Sequence, residues 1–200
     1  MTRFTDDDRD RIRAELIEAG HDLFGRHGFD RTRVHDVTDV VGIGTSTFYQ
    51  FFDSKEDLYL AVLLAERDRI YGELESALSS AGTARAEVET TLRTLFSEVQ
   101  SSPLTRRLFV DGEIRLVEGR LDGTVREGSD AGQLEATLPQ SGSWVAHEEF
   151  RLDDPAVVGG LFRSLLFVTQ AQDTPLLPDQ EYTEIEERVI ETVVDGLFVD

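Results

Sequence analysis

The stretch from Thr32 to Leu58, TRVHDVTDVVGIGTSTFYQFFDSKEDL, decides the fold. Thr32 is suited to cap a short helix, since its hydroxyl can accept a backbone N–H that has no partner inside the helix. Val34, Val37, Val40 and Val41 then give that helix an apolar inner face. Gly42 suits a sharp turn, and Ile43 is placed to plug the space between two helices. A second short helix is expected over about residues 44–51. Phe48, Phe51 and Phe52 turn inward at three-to-four spacing, which leaves Thr45, Ser46, Thr47, Tyr49 and Gln50 outside. Ser54 followed three residues later by Asp57 is a capping-box-like pair. It opens a longer helix, expected to reach Ser79, whose inner stripe is Leu58, Ala61, Val62 and Ala65.

Helix, glycine turn and short polar-faced helix form the helix-turn-helix pattern. A helix of this kind can lie in a major groove, where hydroxyl and amide side chains meet base edges and phosphates. On spacing alone, an ordinary pair of packed helices fits the same residues.

Working outward, Asp8 to His27 reads as a supporting helix with Ile12, Leu16, Ile17, Leu23 and Phe24 on one face, ended by Gly28 in a left-handed conformation. His21 and His27 have no third ligand at a useful spacing, so no metal site is expected. Beyond Ser79 a helical body is expected. One helix spans 84–100 with Val88, Leu92, Leu95, Phe96 and Val99 inward. Another follows Pro103 to about Leu121, and a further one covers 123–138. Residues 139–154 read as a loop carrying Trp144, the one tryptophan. Pro155 begins a strongly apolar helix to about Gln172. TPLLPDQ is a break, and the last helix runs near 180–199. There is no repeat and no convincing strand. The reading is all-α, with a DNA-binding domain over 1–57 and a larger helical domain over 58–200.

Composition narrows the function classes. The 200 residues are 40% apolar and include 12 Phe, enough for a real core. Without Cys, no disulfide, cysteine-based zinc site or thiol nucleophile is available. The polar, acid-rich start does not read as a signal peptide, and no apolar run approaches the ~20 residues of a membrane span. A cytoplasmic protein is expected. Forty acidic residues oppose twenty basic ones, for a formal charge of −20, and Lys55 is the one lysine. Acidic excess with lysine depletion fits a halophile's cytosol, where salt screens self-repulsion. Such a charge argues against nucleic-acid binding. Between Arg26 and Lys55, however, Arg26, Arg31, Arg33 and Lys55 balance Asp30, Asp36, Asp39 and Asp53. A neutral reading head predicts a shallow salt dependence of DNA binding.

The segment FDRTRVHDVTDVVGIGTSTFYQFFDSKEDLYLAVL resembles the DNA-binding region of the TetR/AcrR family of transcriptional regulators. The FGRHGF end of the first helix, the VVGI turn, TFYQFF and SKEDL carry the likeness, which is dense over about residues 10–65. The resemblance implies a homodimer held by its C-terminal helices, a double-stranded DNA operator, and a small-molecule effector in the helical body. Carried over, Thr32 meets a phosphate, and Thr45, Ser46, Thr47, Tyr49 and Gln50 face the groove. Tyr49 contacts the DNA backbone, Lys55 grips a phosphate, and Arg33 adds another contact. Gly44 replaces the family's common Ser cap, Thr45 stands where a basic residue is frequent, and Ser46 where Gly is. These departures bear on base preference rather than fold.

The leading reading is a ligand-responsive regulator, a repressor on a palindromic operator. Pocket candidates are Leu92, Phe96, Phe109, Glu113, Trp144, Phe162 and Phe167, each of which ordinary core packing would also explain. Glu113 and Arg163 are the most telling if buried. Val158, Leu161, Leu165, Val189, Val193 and Leu197 are candidates for the dimer interface. The alternative is a helical small-molecule-binding or interaction protein that has lost DNA binding. An enzyme is not expected, because no phosphate loop, nucleophile elbow or paired-His motif is present. No cofactor is expected either.

Overall fold

The computed structural model describes residues 5–111, 113, 138–171 and 179–199. Its helices are α1 (Asp6–His27), α2 (Val34–Val41), α3 (Thr45–Phe48), α4 (Lys55–Leu78), α5 (Ala84–Ser101), α6 (Pro103–Phe109), α7 (Ser141–Trp144), α8 (Pro155–Leu165) and α9 (Asp179–Leu197). A 3₁₀ segment, Leu166–Ala171, follows α8. Among the described residues the one β-type contact is an antiparallel bridge between Phe150 and Phe198. The helix expected over 123–138 lies outside the described residues, as does the second half of the one expected to reach Leu121.

Most boundaries follow from local chemistry. Thr5 caps α1 by accepting the Asp8 amide, and the Asp8 carboxylate takes the Thr5 amide in return. Three aspartates then sit in the first turn, against the positive end of the helix. Ser54 caps α4 by accepting the Asp57 amide at 3.0 Å. Thr83 and Ser102 do the same for α5 and α6. Gly42, with φ 76° and ψ 31°, closes α2 in the left-handed region and sends its N–H to the Thr38 carbonyl.

Several expectations are revised. Gly28 has a positive φ of 78° but ψ 168°, an extended turn-out and not a left-handed helical cap. Arg33, not Thr32, holds the N-cap of α2, because the Thr32 side chain is only 1% exposed and faces α1. Its hydroxyl donates to the Gly28 carbonyl at 2.8 Å, just past the end of α1, and lies 3.3 Å from the Leu23 carbonyl in the helix's last turn. The Asp36 carboxylate serves α2 in its place, accepting the Arg33 amide at 2.7 Å. Val37 is fully buried, but Val40 is 65% exposed, so the inner face of α2 is narrower than its four valines imply. Ala65 faces solvent on α4.

Two cores organise the chain. The first gathers Leu16 and Phe24 from α1, Val37 from α2, Phe48 and Phe52 around α3, Leu58 to Leu63 from α4, and Leu104 from α6. The second gathers Leu74, Val88, Leu92, Phe96, Trp144, Phe162, Ile190 and Val194. Helix α4 feeds both. At 24 residues it is roughly 36 Å long, so its first half belongs to one core and its end to the other. The boundary expected at 57/58 falls within its first turn.

Between the cores sits Glu66, 4% exposed. Its carboxylate accepts from Arg69 at 2.9 and 3.1 Å, from Thr105 at 2.8 Å, and from Ser102, with His21 Nε2 at 3.3 Å. Burial works against ionisation, but the hydrogen bonds from His21, Arg69, Ser102 and Thr105 outweigh it and hold the carboxyl far below the usual range. The same bond from Glu66 raises the pKa of His21. Glu66→Ala leaves the two hydroxyls and the guanidinium without their shared acceptor. It should cost about 3 kcal/mol and lower Tm by ~6–12 °C in a thermal melt. Linkage gives the sign with pH. The Glu66 contribution is present above its ordinary pKa of 4.5 and is lost on acidification through its lowered one. The His21 contribution is full below 6.5 and is lost as pH rises through its raised pKa. Wild type should therefore lose stability on the alkaline side, by an amount that His21→Ala does not show.

Candidate nucleic-acid interface

The recognition unit is built around Phe48, whose side chain is 0% exposed while its neighbours face out. Gly44, Thr45, Ser46, Tyr49 and Gln50 are exposed and Thr47 is half-buried. Helix α3 itself is a single turn. It is prolonged by turns in which the Gln50, Phe51 and Phe52 amides bond back to Thr47 and Phe48. Tyr49 is 54% exposed and meets the Phe48 ring edge-on at 5.3 Å, so its hydroxyl end is held away from the core. The outer face thus offers three hydroxyls from Thr and Ser, one phenol and one amide, all able to hydrogen-bond base edges or phosphates.

The loop between α1 and α2 is braced from beneath. Lys55 Nζ donates to the carbonyls of Phe29 at 2.8 Å and Thr32 at 2.9 Å, and lies 4.0 Å from the centre of the Phe29 ring. With the Thr32 hydroxyl turned onto α1, both expected phosphate contacts spend their side chains on this loop. Arg33 is exposed beside them. From the other end of the chain segment, Arg9 Nη2 donates to the Gln50 carbonyl at 3.1 Å and its guanidinium covers the Phe51 ring at 5.1 Å. Arg13 covers the Phe52 ring at 5.1 Å. Both lie outside the charge-balanced stretch from Arg26 to Lys55, and their i, i+4 spacing on an otherwise acidic helix start is the signal the sequence carries for them.

The body candidates fall into separate places. Leu92, Phe96, Trp144 and Phe162 are packed in the second core, where Trp144 stacks on Phe162 at 5.6 Å and donates its indole N–H to Glu87 at 2.8 Å. Phe109 and the exposed Phe167 meet edge to face at 5.9 Å. Glu113 is half-buried; one carboxylate oxygen accepts from Arg107 at 3.3 Å and the other is buried with no hydrogen-bond partner among the described residues. Arg163 is exposed. Of the dimer candidates, Val158 and Leu197 are buried within the protomer, and Leu161, Leu165, Val189 and Val193 are half-buried.

Fold and exposed polar helix together define a helix-turn-helix DNA-binding unit joined to a helical body. Residues 16–62 match the family model described as bacterial regulatory proteins, tetR family. The HTH-type transcriptional repressor KstR2 of Rhodococcus jostii (strain RHA1) is 25% identical over 162 residues, spanning 70% of this chain and 79% of that protein. A TetR-family transcriptional regulator from Pectobacterium atrosepticum shares the fold with a TM-score of 0.71 at 15% identity, covering 98% of this chain and 99% of that one. RolR, solved in complex with the ligand resorcinol, shares it with a TM-score of 0.62 at 21% identity, over 98% of this chain and 92% of that one. Residues 16–62 thus carry the tetR family's sequence pattern, in a chain whose fold is that of solved TetR-family regulators. No helix among the described residues is long and apolar enough to cross a membrane.

The placement of Lys55 has a direct consequence. Lys55→Met removes two charge-assisted bonds from the loop, and should cost about 1–2 kcal/mol of stability in DNA-free protein, read as a lower denaturation midpoint. A residue kept only for phosphate would leave that midpoint unchanged.

Proposed function

We propose that the chain is a ligand-responsive repressor that binds a palindromic operator as a homodimer in the cytoplasm. The observation that carries the reading is the single exposed turn of Thr45, Ser46, Tyr49 and Gln50 fixed by the buried Phe48. Two such turns related by a two-fold axis read two half-sites.

The homodimer is supported by an open groove along α9. Ile185, Val189 and Val193 recur every four residues, with Glu181, Glu184, Arg188 and Thr192 around them. An isologous contact needs a self-complementary patch, and an apolar centre with both charge signs at its rim supplies one. Repression is supported by the relative named as a repressor. Effector binding is supported by the fold shared with RolR, solved with resorcinol, and by the aromatic-rich second core. Phe109, Glu113 and Phe167 are the pocket candidates outside that core's interior.

Coupling has a physical route. Arg107 of α6 donates to the carbonyls of Gly25 at 2.7 Å and Arg26 at 2.6 Å, at the C-terminal end of α1. An effector that favours one position of α6 would favour one position of the reading head, and its effect is limited by its difference in affinity for the two.

Selection from random-sequence duplex DNA in molar KCl tests the whole reading. A palindromic enriched sequence bound by a particle of twice the chain mass supports it. Absence of enrichment favours a helical small-molecule-binding or interaction protein that has lost DNA binding. On the enriched sequence, Tyr49→Ala should weaken binding roughly tenfold, the size of one lost contact of about 1.4 kcal/mol, with the mass unchanged. Ile185→Asp should instead shift the protein toward monomer in light scattering while leaving its helical circular dichroism intact.

A further inference from the structure

We infer that Arg9 and Arg13 contact the DNA backbone, as a cationic edge held against the recognition turn by the aromatic faces of Phe51 and Phe52. The inference rests on the DNA-binding reading and extends it to residues of α1.

The first observation is where guanidinium groups find carboxylates and where they do not. In the body and along α4, most arginines are paired: Arg67 with Asp68, Arg69 with Glu66 and Glu98, Arg85 with Asp195, Arg93 with Glu89 and Glu187, Arg107 with Asp111 and Glu113, and Arg188 with Glu191, while Arg151 donates to the Phe198 carbonyl and Arg163 is exposed. In a chain with twice as many acids as bases, that is the expected outcome. Arg9, Arg13, Arg31 and Arg33 form no ion pair among the described residues, and all four belong to the reading head. For two of them a carboxylate is close in sequence. Asp6 stands three residues before Arg9 and Asp10 three before Arg13, a spacing at which helical side chains meet. Arg11, between them, takes its partners, Asp8 at 3.6 Å and Glu15 at 2.8 Å.

The second observation is what Arg9 and Arg13 do instead. Both reach off α1 to the residues that follow the recognition helix. Arg9 spends one N–H on the Gln50 carbonyl and sets its guanidinium carbon 5.1 Å from the centre of the Phe51 ring; Arg13 sets its own 5.1 Å from the centre of the Phe52 ring. A cation–π contact uses none of the guanidinium's five N–H donors, so an exposed arginine held this way keeps donors for a further acceptor. A guanidinium edge is the geometry that matches a phosphate. Both side chains remain exposed. The stacking also lowers the cost of ordering a long side chain on binding. Two oriented cations therefore stand beside the exposed Tyr49 and Gln50, in a region whose net charge from Arg26 to Lys55 is zero.

The test is the salt dependence of binding to a mixed-sequence DNA duplex, measured by fluorescence anisotropy across a KCl series. Each phosphate contact contributes about 0.9 to the slope of log K against log salt. In a dimer each arginine counts twice, so Arg9→Gln and Arg13→Gln should each make the slope shallower by about 2. Arg9→Lys and Arg13→Lys, which keep the charge, should restore most of it. A purely structural role would lower Tm or affinity and leave the slope as in wild type; that result, in both glutamine variants, overturns the inference. If wild-type protein binds no duplex at any salt, the DNA-binding reading itself fails and the inference falls with it, an outcome distinct from binding with an unchanged slope.

Discussion

The joint between reading head and body turns on one buried carboxylate. Glu66 lies midway along α4, and its partners come from two other helices: His21 on α1, and at the start of α6 Ser102 and Thr105. Arg69, one turn along α4, links it onward to Glu98 on α5. A charge taken out of water is costly unless its lone pairs are filled. Here they are filled only when α1, α4 and α6 are in register. The cluster therefore selects one arrangement of the head relative to the body more than it adds net stability. Apolar contacts flank it on both sides, since the first core ends at Leu63 and Leu104 and the second begins at Leu74.

A second joint lies at the C-terminal end of α1. The last carbonyls of a helix point outward without partners. Here Gly28 and Thr32 satisfy some from within the head, and Arg107 satisfies others from the body. A cation at this end also suits the negative pole of the helix. The space is tight. A Cβ at Gly28 would come within 2.4 Å of a Glu113 oxygen and 3.2 Å of the Arg107 guanidinium. The loop that leads into α2 thus lies against Arg107 of α6 and against Glu113 just beyond that helix.

Much of this was legible before any coordinates. Ser54, Gly42 and the apolar spacing of Val88, Leu92, Leu95, Phe96 and Val99 carry their structural meaning locally, in caps, turn conformations and helical period. The family resemblance rests on the same segment. What was not legible depends on contacts between distant residues. Thr32 has the chemistry of a cap, but its hydroxyl turns to carbonyls of α1 because that side chain is buried. Val40 carries the period of an inner face yet faces solvent, since α2 is only eight residues long and one side of it packs. Lys55 has the chemistry of a phosphate ligand and serves a loop twenty-three and twenty-six residues away in sequence. Arg9 and Arg13 sit among aspartates and look like ordinary surface charge until the chain folds them over Phe51 and Phe52. Glu66 reads as a polar position on a helix, and only the packing of α1, α5 and α6 reveals its burial.

The bracing role of Lys55 makes the folded chain unusual toward amine chemistry. With one lysine in 200 residues, the ε-amine pool is a single group, and that group is half-buried and hydrogen-bonded to two carbonyls. Acylating or alkylating reagents can reach it with its lone pair free only when the loop at Phe29 to Thr32 lets go. The side chain is in effect a built-in reporter. Its rate of modification measures how often the reading head opens, with no competing lysine to obscure the signal.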